Sequence, residues 1–260
     1  LPALLERGLG VRLMVQPCLE RLLQPGLAWM GPRLEVVGAG AEGRHRRVVG
    51  CHGSLLSLPW RLQHSTPPGW LQSFIYVRVP AVRLVRRSLG GGPQRLRVGL
   101  VWGAGRYLDG HCRERDYRRK SILGADLQTL LEALADRPVD LFRLQVGPDR
   151  DVPEQSVLNW AGHLPPDADF LVLAQQLLEL DLLICVDTAA AHLAGAMGLQ
   201  AWLLLPWAAA SRWGRSGTHS PWYSSLRLWR QPRHHDWRGL WPDLLQELDQ
   251  LCSRDWNSVS

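Results

Sequence analysis

Residues 180–198, LDLLICVDTAAAHLAGAMG, decide the fold class. Leu182 to Val186 is a wholly apolar run, the pattern of a strand buried on both faces of a parallel sheet. Asp187 and Thr188 supply N-cap chemistry, and the alanine-rich stretch after them predicts a helix that Gly198 ends. With Thr188 as N-cap, the amides of Ala189, Ala190 and Ala191 are expected to point out of the first turn. Helices in α/β folds hold phosphates there, because the amides donate and the helix dipole adds partial positive charge. The small side chains let a ligand come close. His192 lies one position on, and helical side chains lean toward the N-terminus, so its ring can reach the same crevice. The same residues also fit a plain strand–helix turn, with Asp187 as a cap and His192 as a partly buried helix residue.

Outward from this unit the chain alternates strand and helix patterns. N-terminal to it, RVGLVWGAG (97–105) reads as a buried strand running into a glycine-rich loop, and YLDGHCRERDYRRK (107–120) as a long basic loop. The helix ADLQTLLEALA, the strand VDLFRLQVG, a loop at Asn159-Trp160-Ala161-Gly162 and the helix DFLVLAQQLLELD follow. C-terminal to it, WLLLPW (202–207) is another buried strand, and Leu240, Trp241, Leu244, Leu245, Leu248 and Leu251 mark an amphipathic last helix. At the other end of the chain, LPALLERGL resembles a helix tail, VRLMVQ (11–16) and LEVVG (34–38) are strands, and PCLERLLQPG is a short helix. GAGAEG (38–43) matches a dinucleotide fingerprint by letter, yet a basic turn and VVGCHG follow it rather than a helix, so it reads as a turn. SLLSLPW is a loop or short helix, Pro67-Pro68-Gly69 a turn, IYVRVP a strand, and residues 86–94, rich in glycine, the linker. The expectation is two Rossmann-like α/β domains facing a cleft. Residues 1–92 form an acceptor-side domain lacking its first strand, and residues 93–260 a nucleotide-binding domain with a C-terminal helix.

Between Gly43 and Leu108 there are eleven arginines and no Asp or Glu, which favours anionic partners and denies that stretch a carboxylate base. Only one lysine, Lys120, occurs among thirty basic residues, so coding bias and a solvated surface account for the same charge. Five cysteines lie far apart without CxxC or Cys/His pairing, which points to reduced thiols in the cytoplasm and to neither zinc nor disulfides. No apolar stretch approaches the roughly 20 residues of a membrane span, and no signal-peptide pattern is present. The chain opens on Leu1-Pro2, as a piece of a longer protein would.

VGLVWGAG, RRKSI, FRLQVG, LDLLICVDTAAAHLAGAMG, WLLLPW and SPWYSSLRLWRQPRHHDW together resemble the glycosyltransferase family 9-like domain, which includes the ADP-heptose:lipopolysaccharide heptosyltransferases. The resemblance covers about 97–240 and extends more weakly to 1–90; its nearest form is the domain that bacterial proteins carry behind tetratricopeptide repeats. It implies a GT-B-like fold and a nucleotide-sugar donor held mainly by the second domain. The turn at Asp187, Thr188, Ala189 and Ala190 would face the donor pyrophosphate, with His192 matching the family's histidine. Lys120 would lie near the phosphates, Gln145 at the level of base or ribose, and Gly103 and Gly105 would let backbone approach the ligand. Val146 stands where the family often has Lys or Arg, and the acceptor-activating carboxylate is expected upstream of Leu1.

The function this implies is transfer of a sugar from a nucleotide diphosphate to the hydroxyl of a glycan, lipid or protein acceptor, an anionic one being favoured by the basic charge. The alternative is a non-catalytic nucleotide-sugar-binding module of a larger repeat protein. No cofactor is expected, and without a DxD motif the sequence requires no metal. Nucleic acid is not an expected partner, since no binding motif accompanies the arginines. The expected location is cytoplasmic, free or peripheral at the inner face of the membrane.

Overall fold

A computed structural model describes residues 1–39, 53, 77–79, 95–105, 114–154 and 158–253. The N-terminal part is a strand–helix–strand unit preceded by α1 (Pro2–Glu6). β1 (Val11–Val15) and β2 (Leu34–Gly38) pair in parallel, from Val11 against Leu34 to Val15 against Gly38, joined by α2 (Pro17–Gly26). Pro17 opens α2, where its missing N–H is not needed, and the helix runs through Pro25 to Gly26.

The larger part is a six-stranded, wholly parallel sheet. Its strands are β3 (Leu96–Val101), β4 (Val139–Arg143), β5 (Gly162–His163), β6 (Leu182–Val186), β7 (Ala201–Leu205) and β8 (Leu226–Arg230), in the spatial order β5-β4-β3-β6-β7-β8. Counted from β3 this is 3-2-1-4-5-6, the doubly wound order, which reverses between β3 and β6. Ligands in such sheets bind outside the carboxyl ends of the strands at that reversal. The helices are α3 (Glu114–Lys120), α4 (Gly124–Ala135), α5 (Phe170–Leu177), α6 (Ala189–Ala196) and α7 (Trp241–Cys252).

The continuous apolar runs in the sequence follow from this layering. Every residue of β6 and β7 is buried, because both faces of the sheet are covered. Leu182, Ile184 and Val186 belong to one core with Leu127, Leu131 and Leu134 of α4 and Trp241, Leu244 and Leu248 of α7. Leu183 and Cys185 belong to a second core with Ala174 and Leu177 of α5 and Ala191 and Ala194 of α6. That second core also takes in Leu13, Val15, Leu22 and Val36 of the N-terminal unit, so the two-stranded sheet and the six-stranded sheet share apolar packing. Arg21 of α2 pairs with Asp169, whose carboxylate also caps α5 by accepting from the Val172 N–H at 2.9 Å. Val77 N–H donates to Ala196 at the end of α6, and Arg78 N–H to Gly26 at the end of α2.

Several sequence expectations change. Residues 114–120 form a helix rather than the end of a loop. Glu114 and Asp116 lie in its first turn, Arg118, Arg119 and Lys120 in its last, an arrangement that opposes the helix dipole at both ends. Glu114 also pairs with Arg118 one turn on, and Tyr117 buries the inner face. The loop around Gly162 contributes the short edge strand β5, and α5 ends at Leu177 rather than Asp181. The linker at 86–94, VVGCHG apart from Gly53, SLLSLPW, the Pro67–Gly69 turn and GAGAEG beyond Ala39 lie outside the described residues. Among those described, no helix is long and apolar enough to cross a membrane.

Candidate functional site

The residues singled out in the sequence meet at the carboxyl ends of β3, β4 and β6, on either side of the strand-order reversal. Asp187 follows β6 directly. Its side chain is 2% exposed, and its carboxylate accepts from Lys120 Nζ (3.3 Å), Arg212 Nη2 (3.1 and 3.3 Å to the two oxygens) and the Trp213 indole N–H (3.0 Å). Burial alone would push this carboxyl up, but Lys120, the Trp213 N–H and Arg212 outweigh it and hold it below the ordinary carboxylate range. Asp187 is therefore an ionised anchor for two cations. Two positive charges meet one negative, leaving the cluster a net positive charge beside a helix N-terminus.

The helix start differs in detail from the sequence reading. Thr188 has the extended backbone of an N-cap residue, yet its side chain makes no cap bond, and the buried Oγ1 has no partner among the described residues. The Ala191 N–H donates back to the Thr188 carbonyl at 3.2 Å, so that amide is not free. Those of Ala189 and Ala190 have no acceptor among the described residues. Ala189 is exposed, whereas the Ala190 side chain packs in the core. His192, one turn into α6, stacks on Trp213 with centroids 5.0 Å apart, and its Nδ1 lies 3.0 Å from the Tyr223 hydroxyl. Burial, with Arg212 adding to it against the opposing pull of Asp187, lowers its pKa and keeps the ring neutral near pH 7.

The β3 side of the reversal is a second network. Gln145 Oε1 accepts from the amides of Trp102 (3.1 Å) and Gly103 (2.8 Å), while its Nε2 donates to the carbonyls of Val146 (2.9 Å) and Gly103 (3.4 Å). Gln145 is 4% exposed, and its side-chain amide is engaged in bracing the loop rather than turned to a ligand. Gly103 is required by that packing: a Cβ there would lie 2.9 Å from Asp149 Oδ2 and 3.1 Å from Gln145 Nε2. Gly105 faces open space. Val146 is a solvent-exposed apolar side chain at the end of this stretch. Ser121 Oγ accepts from the Ala104 N–H, and Tyr117 donates to Asp149 Oδ1 at 2.5 Å.

α3 crosses these ends. Tyr117 bonds Asp149 beyond β4, Lys120 pairs with Asp187 beyond β6, and Arg119 donates to the Ala208 carbonyl beyond β7. Arg212, Trp213 and Tyr223 were not among the residues the sequence singled out. Trp213 belongs to a 3-10 turn (Ser211–Trp213) and Tyr223 to the loop before β8, neither of which carries periodicity. The sequence signal available was the grouping of Arg and Trp around SRWG and SPWY, the second already part of the family resemblance.

No protein-family model matches the chain, and no curated protein matches it. Among solved structures the fold is similar to E. coli heptosyltransferase WaaC with ADP, at 16% identity and a TM-score of 0.41 over 64% of this chain and 47% of that one. It is also similar to E. coli ADP-heptose LPS heptosyltransferase II, at 15% identity and a TM-score of 0.41 over 62% of this chain and 47% of that one. The chain thus spans about half the length of the solved structures it matches.

Proposed function

We propose that this chain binds a nucleoside-diphosphate sugar at the carboxyl edge of the six-stranded sheet and serves transfer of its sugar to an acceptor hydroxyl. One observation carries the reading: the reversal of strand order brings Lys120, Arg212 and the open amides of Ala189 and Ala190 to one place. A leaving diphosphate develops negative charge, and preorganised cations and amide donors stabilise it without reorganisation. Lys120 supplies a compact charge and Arg212 a planar fork, with only Nη2 engaged on Asp187. His192 offers a neutral ring nitrogen beside them.

A second reading, a nucleotide-sugar-binding module without turnover, is favoured by the state of the carboxylates. Asp187 and Asp149, the two buried beside this edge among the described residues, are both engaged by donors, and Asp187, ionised and held below the ordinary carboxylate range, is a weak base. Donor hydrolysis or transfer separates the two readings, while binding tests both. The variant to use is Ala189→Asp, because Ala189 is exposed whereas Ala190 is buried. A carboxylate at the first helical position favours the helix dipole and repels a phosphate. Calorimetry with ADP, UDP and GDP should show micromolar-range binding by the wild type and its loss in Ala189→Asp, with the melting temperature unchanged or raised. Retained affinity in that variant would move the site elsewhere.

A further inference from the structure

Tyr223 is held in place from three directions. Its backbone N–H donates to the buried Ser220 Oγ at 3.2 Å, its carbonyl accepts from Leu226 at the start of β8, and its ring lies flat on Gly195 of α6. A Cβ on Gly195 would come within 2.4 Å of Tyr223 Cγ, so the absence of a side chain there is what lets the ring approach the helix. In that position the phenol meets His192 twice: edge-on, with centroids 5.8 Å apart, and through its hydroxyl, 3.0 Å from Nδ1. Trp213 closes the other side of the imidazole by stacking at an interplanar angle of 24°. The ring is clamped between two aromatics, and Nε2 is the nitrogen left without a partner among the described residues.

We infer that Tyr223 is a positioning residue for His192: its hydroxyl donates to Nδ1, so that Nε2 carries the proton and donates to an anionic oxygen of the ligand. The inference rests on the diphosphate reading above. A neutral imidazole has one donor and one acceptor nitrogen, and a diphosphate oxygen only accepts. The nitrogen facing the ligand must therefore be protonated, Nδ1 must accept, and the Tyr223 hydroxyl is the group at hand to donate. Arg212 and Asp187 are the charged groups acting on the ring, and with burial they leave it neutral near pH 7. Tyr223 fixes which of the two neutral forms is present, a role that a packing aromatic alone does not perform.

The test uses the whole chain as wild type, Tyr223→Phe, His192→Ala and the double variant, each checked for folding by circular dichroism. Tyr223→Phe keeps the ring against Gly195 and removes only the hydroxyl. Nitrogen-15 NMR of histidine-labelled protein should show His192 as the Nε2–H form in the wild type and a mixture of forms in Tyr223→Phe. Calorimetry with ADP, UDP and GDP should show the dissociation constant rising about five- to tenfold in Tyr223→Phe, the range one hydrogen bond supports. The double variant should bind no worse than His192→Ala alone, because Tyr223 acts through that ring. Losses that multiply in the double variant, or an unchanged tautomer in Tyr223→Phe, would overturn the inference. Were the wild type to bind none of the three nucleotides, the proposed function would fall, and the tautomer comparison would by itself decide the role of Tyr223.

Discussion

Replacing Asp187 by Asn tests whether this carboxylate anchors the cations. The substitution keeps shape and one acceptor oxygen, removes the charge, and turns an amide NH2 toward donors. Asp187 is 2% exposed at its side chain, so its charge is stabilised almost wholly by Lys120, Arg212 and Trp213. Removing one member of a buried ion pair costs about 3–5 kcal/mol in general. Here the Lys120 side chain is 22% exposed and that of Arg212 45%. Both cations can turn toward water, which discounts the expected loss to about 2–3 kcal/mol. For a chain of this size that is a fall in melting temperature of about 4–12 °C. Thermal and urea unfolding of both proteins at pH 7 measures it. The folded-state pKa of Asp187 is depressed, so its contribution is present above the unfolded value of about 3.9 and is lost as pH falls through the folded value below that. The gap between wild type and Asp187→Asn should accordingly narrow as pH falls below the unfolded value and close once it has passed the folded one. A shift under about 1 °C at pH 7, or a gap that persists in acid, refutes the electrostatic account.

Gly103→Ala should destabilise by about 1–3 kcal/mol, since the new methyl meets Asp149 and Gln145, whereas Gly105→Ala should stay within about 0.5 kcal/mol; urea midpoints compare the two. His192 has a lowered folded-state pKa, so its contribution is present above the unfolded value of about 6.5 and fades as pH falls through the folded one. Wild type should therefore lose more stability between pH 7.5 and pH 5 than His192→Gln does, and equal losses would remove His192 from the account. Cys185 is fully buried, and burial together with Asp187 raises its thiol pKa. Iodoacetamide followed by peptide mapping should label the exposed Cys18 in the native protein and Cys185 only after denaturation.

The sheet was legible in the sequence because its strands are buried on both faces. LLICV and WLLL admit few other structures, and a short linker into an alanine-rich helix sets the direction. α3 was not legible for the opposite reason. Tyr117 is its one buried anchor, and the helix signal is electrostatic, in the placing of acids before bases. At the site, Asp187, Lys120 and His192 could be named from motif and position. Their partners could not, because Arg212, Trp213 and Tyr223 lie 25, 26 and 31 residues beyond the groups they touch, the first two in a short 3-10 turn and the third in a loop. Gln145 shows a different limit. Strand-end position indicated a polar residue at the right level, but not that two backbone amides of the neighbouring loop would claim its oxygen.

The crossing of α3 has a consequence for how the chain reaches this structure. A seven-residue helix is too short to persist alone in water, so it depends on what it docks against. Its docking points are remote in sequence: Tyr117 reaches a residue 32 positions on, and Arg119 one 89 positions on. Those acceptors come together only after β4, β6 and β7 have aligned, and closing such long loops carries an entropic cost that early contacts do not repay. α3 therefore joins late. Substitutions along it, at Tyr117 or Arg119, should speed unfolding while leaving the refolding rate nearly untouched, with φ-values close to zero.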